Sequence, residues 1–316
     1  MKLISYETGE GPALGVLVGE KCFVDLRAAH EAAVVAGASG EIAPLLWRDM
    51  NAFLAAGEEA LTAAAQAVEF AQGEGKFQHS VAEVHLLAPV PFPRKLFCLA
   101  GNYAEHILES RQRLEEADKA TPRVFMKPPS TTVRGPYDPI VITPVAQAID
   151  WEAELAVVIG RRGKYLKAEN ALDYIAGYTC FNDVSERQLK IKERPETREW
   201  DQFFDWLNGK WLDSFAPMGP CLVTKDEIPD PHSLDIRLYL NGEQMQAGNT
   251  GQMIFHLGDI LEYISAIVTL EPGDVISTGT PSGVGSARGI FLQPGDVVRT
   301  EIEGIGAMEN PVVAGE

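Results

Sequence analysis

Two glutamates two positions apart, Glu152 and Glu154, stand at the head of the apolar run 155–159, which Gly160 closes. A β-branched run of that length reads as a buried strand. Side chains alternate faces along a strand, so both carboxylates point the same way, with backbones roughly 6–7 Å apart. Like charges so placed repel unless a cation lies between them or one takes a proton. A hard divalent ion held by oxygen ligands answers this economically. Two surface glutamates on a solvated strand end are the other reading, since charged side chains are mostly exposed. Asp183 follows a strand expected over 174–181 and is placed to add a third carboxylate, although Asn-Asp at a turn needs no ligand role.

A second pair is His106 and Glu109. If 103–116 is helical, they are i,i+3 neighbours on one face. A carboxylate beside an imidazole fixes its tautomer and raises its basicity, as a general base requires. A chance pair on an exposed helix has the same spacing. The charged, weakly apolar stretch 104–120 suggests a mobile lid. Lys127 lies between apolar residues and prolines and either points into a pocket or snorkels. Residues 187–211 carry Trp200, Phe203, Phe204, Trp206 and Trp211, which suits a loop or short helix over a cleft, or a packed satellite cluster.

The elements that must position these groups follow from pattern. Short apolar pieces at 2–6, 14–18 and 22–25, then alanine-rich segments at 27–36, 42–56 and 58–72, predict a small N-terminal α/β domain over 1–75. The proline-rich segment 76–94 reads as a linker and 95–316 as the catalytic domain. A strand is expected over 95–99. A later helix, capped near Asn249 and Thr250, would carry Met253, Leu257, Ile260 and Ile264 on one face. Two Pro-Gly-Asp turns, ending at Asp274 and Asp296, each feed a strand. Between them, the stretch 278–285 lacks the Lys-Ser/Thr of a phosphate loop, but its amides and Thr280 can meet an anionic group.

Composition narrows the partners. The chain has 316 residues, 46% of them hydrophobic and 23% charged, as in ordinary globular proteins. A formal net charge of −18 argues against nucleic acid or an anionic membrane as the main partner, while leaving room for a small anionic substrate at a local cation. No signal-peptide core or membrane span is evident, and the four dispersed cysteines suggest reduced thiols in a cytoplasmic protein.

Nine motifs in order make the chain, from about Arg94 to Val313, resemble the fumarylacetoacetate hydrolase family. They are Gly101-Asn102-Tyr103 with His106-x-x-Glu109, Phe125-Met126-Lys127-Pro128, Glu152-x-Glu154, and Asn182-Asp183-Val184-Ser185-x-Arg187. Gly209-Lys210, Pro217-Met218-Gly219-Pro220, Asn241-Gly242-x-x-x-Gln246, Pro272-Gly273-Asp274 and Thr278-Gly279-Thr280-Pro281 complete the set. The resemblance implies an α+β, mostly β, roll-like catalytic domain, commonly a homodimer. It also implies Mg²⁺ or Mn²⁺ on Glu152, Glu154 and Asp183, chelated by an α-keto acid or 1,3-dicarbonyl substrate. His106 and Glu109 would activate water, Lys210 would stand beside a metal-bound enolate, and Thr280 would bind the substrate carboxylate. Tyr103, Lys127 and Gln246 are further expected substrate contacts.

One departure is Lys190, standing where the family usually has a glutamine seven residues after the metal-binding Asp. Kept in that place, Lys190 would favour another anionic group on the substrate. A second departure is the lengthened segment from Asp183 to Lys210. The first expectation is C–C hydrolysis of an acylpyruvate or related diketo acid. Decarboxylation of an oxaloacetate-like acid, or tautomerisation of a 2-oxo-diene-dioate, uses the same enolate without attacking water. A catalytically silent metal-binding scaffold is the reading from another class.

Overall fold

The computed structural model describes residues 1–19, 21–109 and 120–315. It has the mixed, strand-rich α and β architecture expected, with an open 12-stranded sheet, a 5-stranded sheet and helices packed on them. The strand Ala153–Ile159 lies inside the large sheet, antiparallel to Ile175–Asn182 on one side and to Val275–Ser277 on the other. All seven of its residues are buried, as a strand paired at both edges and covered on both faces must be.

Its side chains divide by parity. Leu155, Val157 and Ile159 join the core shared with Ile236, Leu238 and Val298 of the 5-stranded sheet. Ala156 and Val158 join the opposite core, beneath Phe53, Ala60 and Ala64 of the N-terminal helices. Glu152 and Glu154 have the parity of this second set, at the end where the apolar cover stops.

The first strand, Lys2–Thr8, pairs with Ala216–Thr224, so the N-terminal strands extend the same sheet. Asp25 caps the helix Leu26–Val35 by accepting from the Ala28 amide. The helix Glu58–Glu74 buries an alanine stripe of Ala60, Ala63, Ala64, Ala67 and Ala71, and it ends at left-handed Gly75. Within 76–94, Gln78–Ser80 pairs with Cys22–Asp25 and Leu86–Leu87 pairs with Lys2–Thr8. Among the described residues the four cysteines are free, with Cys98, Cys180 and Cys221 buried, and no helix is long and apolar enough to cross a membrane.

Of the helix expected over 103–116, Ala104–Glu109 is seen, and 110–116 lie outside the described residues. One element differs from the sequence expectation. Asn249 caps only the short turn Thr250–Gln252, because the Gln252 side chain returns to the Asn249 amide and closes the box within one turn. The longer helix starts at Leu257, with His256 as its N-cap, and Met253 instead bridges to Tyr103.

Gly177 lies where Ile175–Asn182 is clasped by both neighbours, and a Cβ there would stand 2.1 Å from the Val223 carbonyl oxygen. Gly177→Ala should therefore lower stability by about 1–3 kcal/mol, the ordinary cost of overpacking. Urea unfolding would show this as a reduced midpoint; an unchanged midpoint would mean that the sheet yields there without cost.

Candidate active site

At the end of the central strand, ligand atoms of Glu152, Glu154 and Asp183 all lie within 4.8 Å of one another, and all three residues are buried. The Asp183 amide donates to the Glu152 carbonyl at 2.9 Å, which ties the two strand ends together. Glu152 accepts from Lys210 Nζ at 2.8 Å and from Arg187, and Asp183 accepts from Lys210 Nζ at 2.6 Å and from Lys127. Glu154 Oε2 takes the Ser277 hydroxyl at 2.5 Å and the Gly279 amide at 2.8 Å. Among the described residues, Glu154 Oε1 is buried without a hydrogen-bond partner.

The electrostatics are uneven. Burial alone would raise the Glu152 carboxyl, but Lys210, Arg187 and His106 together hold it well below the usual carboxylate range. Glu154 has no cation in contact; burial, then Asp183 and Glu152, push its pKa well up. Burial also opposes the charge on Lys210, yet Asp183 and Glu152 outweigh it and raise the pKa. On Lys127, burial wins over Asp183 and lowers it. The difference is physical: Lys210 sits between two carboxylates, Lys127 beside one. An all-oxygen donor set with an orphaned buried carboxylate oxygen suits a hard divalent cation, and Mg²⁺ or Mn²⁺ meets that description.

The dyad comes from the helix Ala104–Glu109. His106 Nδ1 and Glu109 Oε1 are 2.9 Å apart, and Glu109 Oε2 accepts from the Gly283 amide at 2.8 Å. Asn102 braces the approach to this helix, donating to the Thr278 carbonyl at 2.8 Å and accepting from the Phe255 amide at 2.8 Å. The loops meet so closely that a Cβ on Gly279, at φ +93°, would stand 2.7 Å from the Asn102 Cβ.

A cavity of about 450 Å³ joins these parts. His106, Glu152, Arg187, Lys210, Arg123 and Thr280 form its polar lining, and Phe125, Phe203 and Trp206 part of its apolar lining. Thr280 lines it with a hydroxyl already donated to the Ala153 carbonyl at 2.8 Å. Gln246 braces the wall, because its oxygen accepts from the Ala153 amide and its nitrogen donates to Thr280 Oγ1 and the Pro281 carbonyl. Lys127 lies beneath the carboxylates, donating to Asp183 and to the Val184 carbonyl. Tyr103 is buried close to Glu154 but does not line the cavity; burial, then the Glu154 charge, push its phenol up.

Lys190 is not brought to the site. Its side chain is 53% exposed and pairs with Glu193 at 2.8 Å, because Leu189 takes the buried position and the chain then runs along the surface. Sequence reasoning gave no role to Arg187, although the motif contains it: it spans Asp150 and Glu152. Asp150 holds Arg187 while accepting from the Gly285 and Ser286 amides. Phe203 and Trp206 carried a signal only in aromatic composition, and Arg123 carried none.

Glu154→Gln should weaken Mn²⁺ binding on the order of 100-fold or more, since loss of even outer-shell partners costs 10–100-fold. Titration calorimetry would check this, and unchanged affinity would remove Glu154 from the ligand set. Because the Glu154 pKa is raised, a proton leaves as the cation binds, and affinity should climb with pH above the ordinary carboxylate range. An affinity flat through that range would contradict a protonated Glu154 in the metal-free protein.

Comparison with known proteins agrees with this geometry. The family model described as fumarylacetoacetate (FAA) hydrolase C-terminal matches residues 95–313. The chain is 45% identical over 268 residues to the mitochondrial oxaloacetate tautomerase fahd2 of Xenopus laevis, covering 84% of this chain and 78% of that one. Over the full length of both chains it superimposes on a fumarylacetoacetate hydrolase from Exiguobacterium antarcticum, with a TM-score of 0.77 and 32% identity. A maleylpyruvate hydrolase from Sphingobium sp. SYK-6, solved with manganese(II) and pyruvate, aligns as completely, with a TM-score of 0.74 and 28% identity. The chain belongs to the fumarylacetoacetate hydrolase family, a family of enzymes whose members here are hydrolases and a tautomerase.

Proposed function

We propose that this protein is a metal-dependent tautomerase that interconverts the keto and enol forms of a small 2-oxo dicarboxylate of the oxaloacetate kind. The observation that carries this reading is that His106, paired with Glu109, lines the same cavity as Lys210 and as Glu152 of the carboxylate triad. The 45% identity with an oxaloacetate tautomerase, against 28–32% with the hydrolases, supports proton transfer as the reaction.

Bound Mg²⁺ or Mn²⁺, held by Glu152, Glu154 and Asp183, would polarise the 2-oxo group as a Lewis acid. The protein's own groups do the rest. Glu109 accepts from His106 Nδ1–H, which leaves Nε2 as the basic nitrogen facing the cavity. His106 Nε2 takes a proton from C3 of the keto form; the C–H electron pair becomes the C2–C3 double bond, the C=O π pair moves onto oxygen, and the His106 imidazolium gives a proton to that oxygen, which restores the neutral base. The product is an isomer, with no atom added or lost. Lys210, kept charged by Glu152 and Asp183, faces the oxygen on which negative charge builds. The Gly283 amide, through Glu109, keeps the imidazole from turning away.

Hydrolysis of an acylpyruvate to pyruvate and a carboxylic acid is the second reading. Its support is the same dyad, which can equally take a proton from water, together with the likeness to the maleylpyruvate hydrolase.

His106→Ala should slow enol–keto conversion of oxaloacetate by roughly 10²–10⁴-fold, the usual worth of general acid–base catalysis. Mn²⁺ affinity should be unchanged. Enol absorbance would follow the rate and mass spectrometry the product: an isomer from oxaloacetate supports tautomerisation, whereas pyruvate plus an acid from acetylpyruvate alone would put hydrolysis first. Full activity in the variant would make the dyad a bystander.

A further inference from the structure

The segment between Arg187 and Lys210 makes a wall that neither metal binding nor proton transfer uses. After Arg187 the chain runs along the surface and returns as the helix Asp201–Asn208. Two ion pairs pin that helix: Arg198 to Asp201 at 2.7 Å, and Arg194 to both oxygens of Asp205 at 2.6 and 2.7 Å. Phe203 and Trp206, three residues apart on one helical face, line the cavity.

These rings continue inward. Trp206 meets Phe125 edge to face at 5.1 Å, and Lys210 Nζ stands 5.3 Å from the centre of the Phe125 ring. Outward, Trp206 meets Phe203 at 5.9 Å, and Phe203 meets Trp200 at 6.2 Å. An aromatic ladder thus runs from the cation beside the carboxylates to solvent, with exposure rising from 9% at Phe125 to 48% at Phe203 and 62% at Trp200. Trp206 packs partly buried against the core while Phe203 stays half-exposed, and both line the cavity.

The cavity's 450 Å³ falls in the range of roughly 300–1,000 Å³ of small-molecule pockets. A ligand group set against Phe125 and Trp206 loses water without gaining hydrogen bonds, which favours a flat apolar group over a charged one. We propose that Phe125, Trp206 and Phe203 form a subsite for an apolar substituent, so that the enzyme also takes, beside the 2-oxo dicarboxylate, 2-oxo acids with a flat, aryl-type substituent on C3. The inference rests on the proposed tautomerase reading, because it sets the 2-oxo acid end at the carboxylates and Lys210. The step is unchanged: a C3–H bond breaks, an O–H bond forms, and no co-reactant is needed.

The test uses the full chain loaded with Mn²⁺. Calorimetry gives the affinities of phenylpyruvate and pyruvate, which differ only by the ring, and enol absorbance follows conversion of phenylpyruvate and oxaloacetate. Phenylpyruvate should bind at least about tenfold more tightly than pyruvate, as burial of one ring on an aromatic wall implies. In Trp206→Ala that preference should collapse to about twofold. Phe203→Ala, at a half-exposed position that folding does not depend on, should reduce it in the same direction. Equal binding of the two acids by the unaltered protein, or a preference untouched in both variants, overturns the subsite. Tight phenylpyruvate binding without conversion of either acid keeps the subsite and discards the tautomerase reading. Conversion of oxaloacetate with no preference for the ring does the reverse.

Discussion

Three carboxylates buried within 4.8 Å of one another are the constraint that the rest of this structure answers. Each buried charge costs several kcal/mol unless it is paired and hydrogen-bonded. The chain meets that demand from distant places. Lys127 comes from the strand pair nearest the sheet edge, Arg187 and Lys210 bracket the lengthened segment, and Ser277 and Gly279 arrive with the strand beside the triad. Glu154 alone is left with an unpartnered oxygen, so the protein's own compensation stops one cation short. A divalent ion completes the balance, which couples cofactor binding to the electrostatics of the fold.

The site has two sides. The triad rests on a fully buried strand clasped by two others. The dyad stands on the helix Ala104–Glu109, where Glu109 accepts from the Gly283 amide and Glu105 from the Ser282 hydroxyl.

The aromatic ladder adds a third region, with its own logic. Polarity falls along it from Lys210 through Phe125 and Trp206 to the surface. On the proposed reading, charge would hold the reacting end of a ligand and shape the far end.

Local geometry made much of this legible in the sequence. The two-residue period of a strand aligns Glu152 with Glu154, and the i,i+3 period of a helix aligns His106 with Glu109, whatever the fold around them. The strands and the alanine-rich helices of the first 75 residues followed from pattern for the same reason. Position across the fold was not legible. Lys190 has a motif-based place in sequence yet lies at the surface, because one preceding leucine takes the buried position. The support of Glu154 by Ser277, 123 residues away, and of Glu109 by Gly283, 174 residues away, exists only because Val275–Ser277 enters the sheet beside Ala153–Ile159. Backbone periodicity acts over a few residues and is written in the order of the side chains. Which distant segment supplies the compensating charge, the bracing amide or the aromatic wall is set by strand order and packing, which only the folded chain decides.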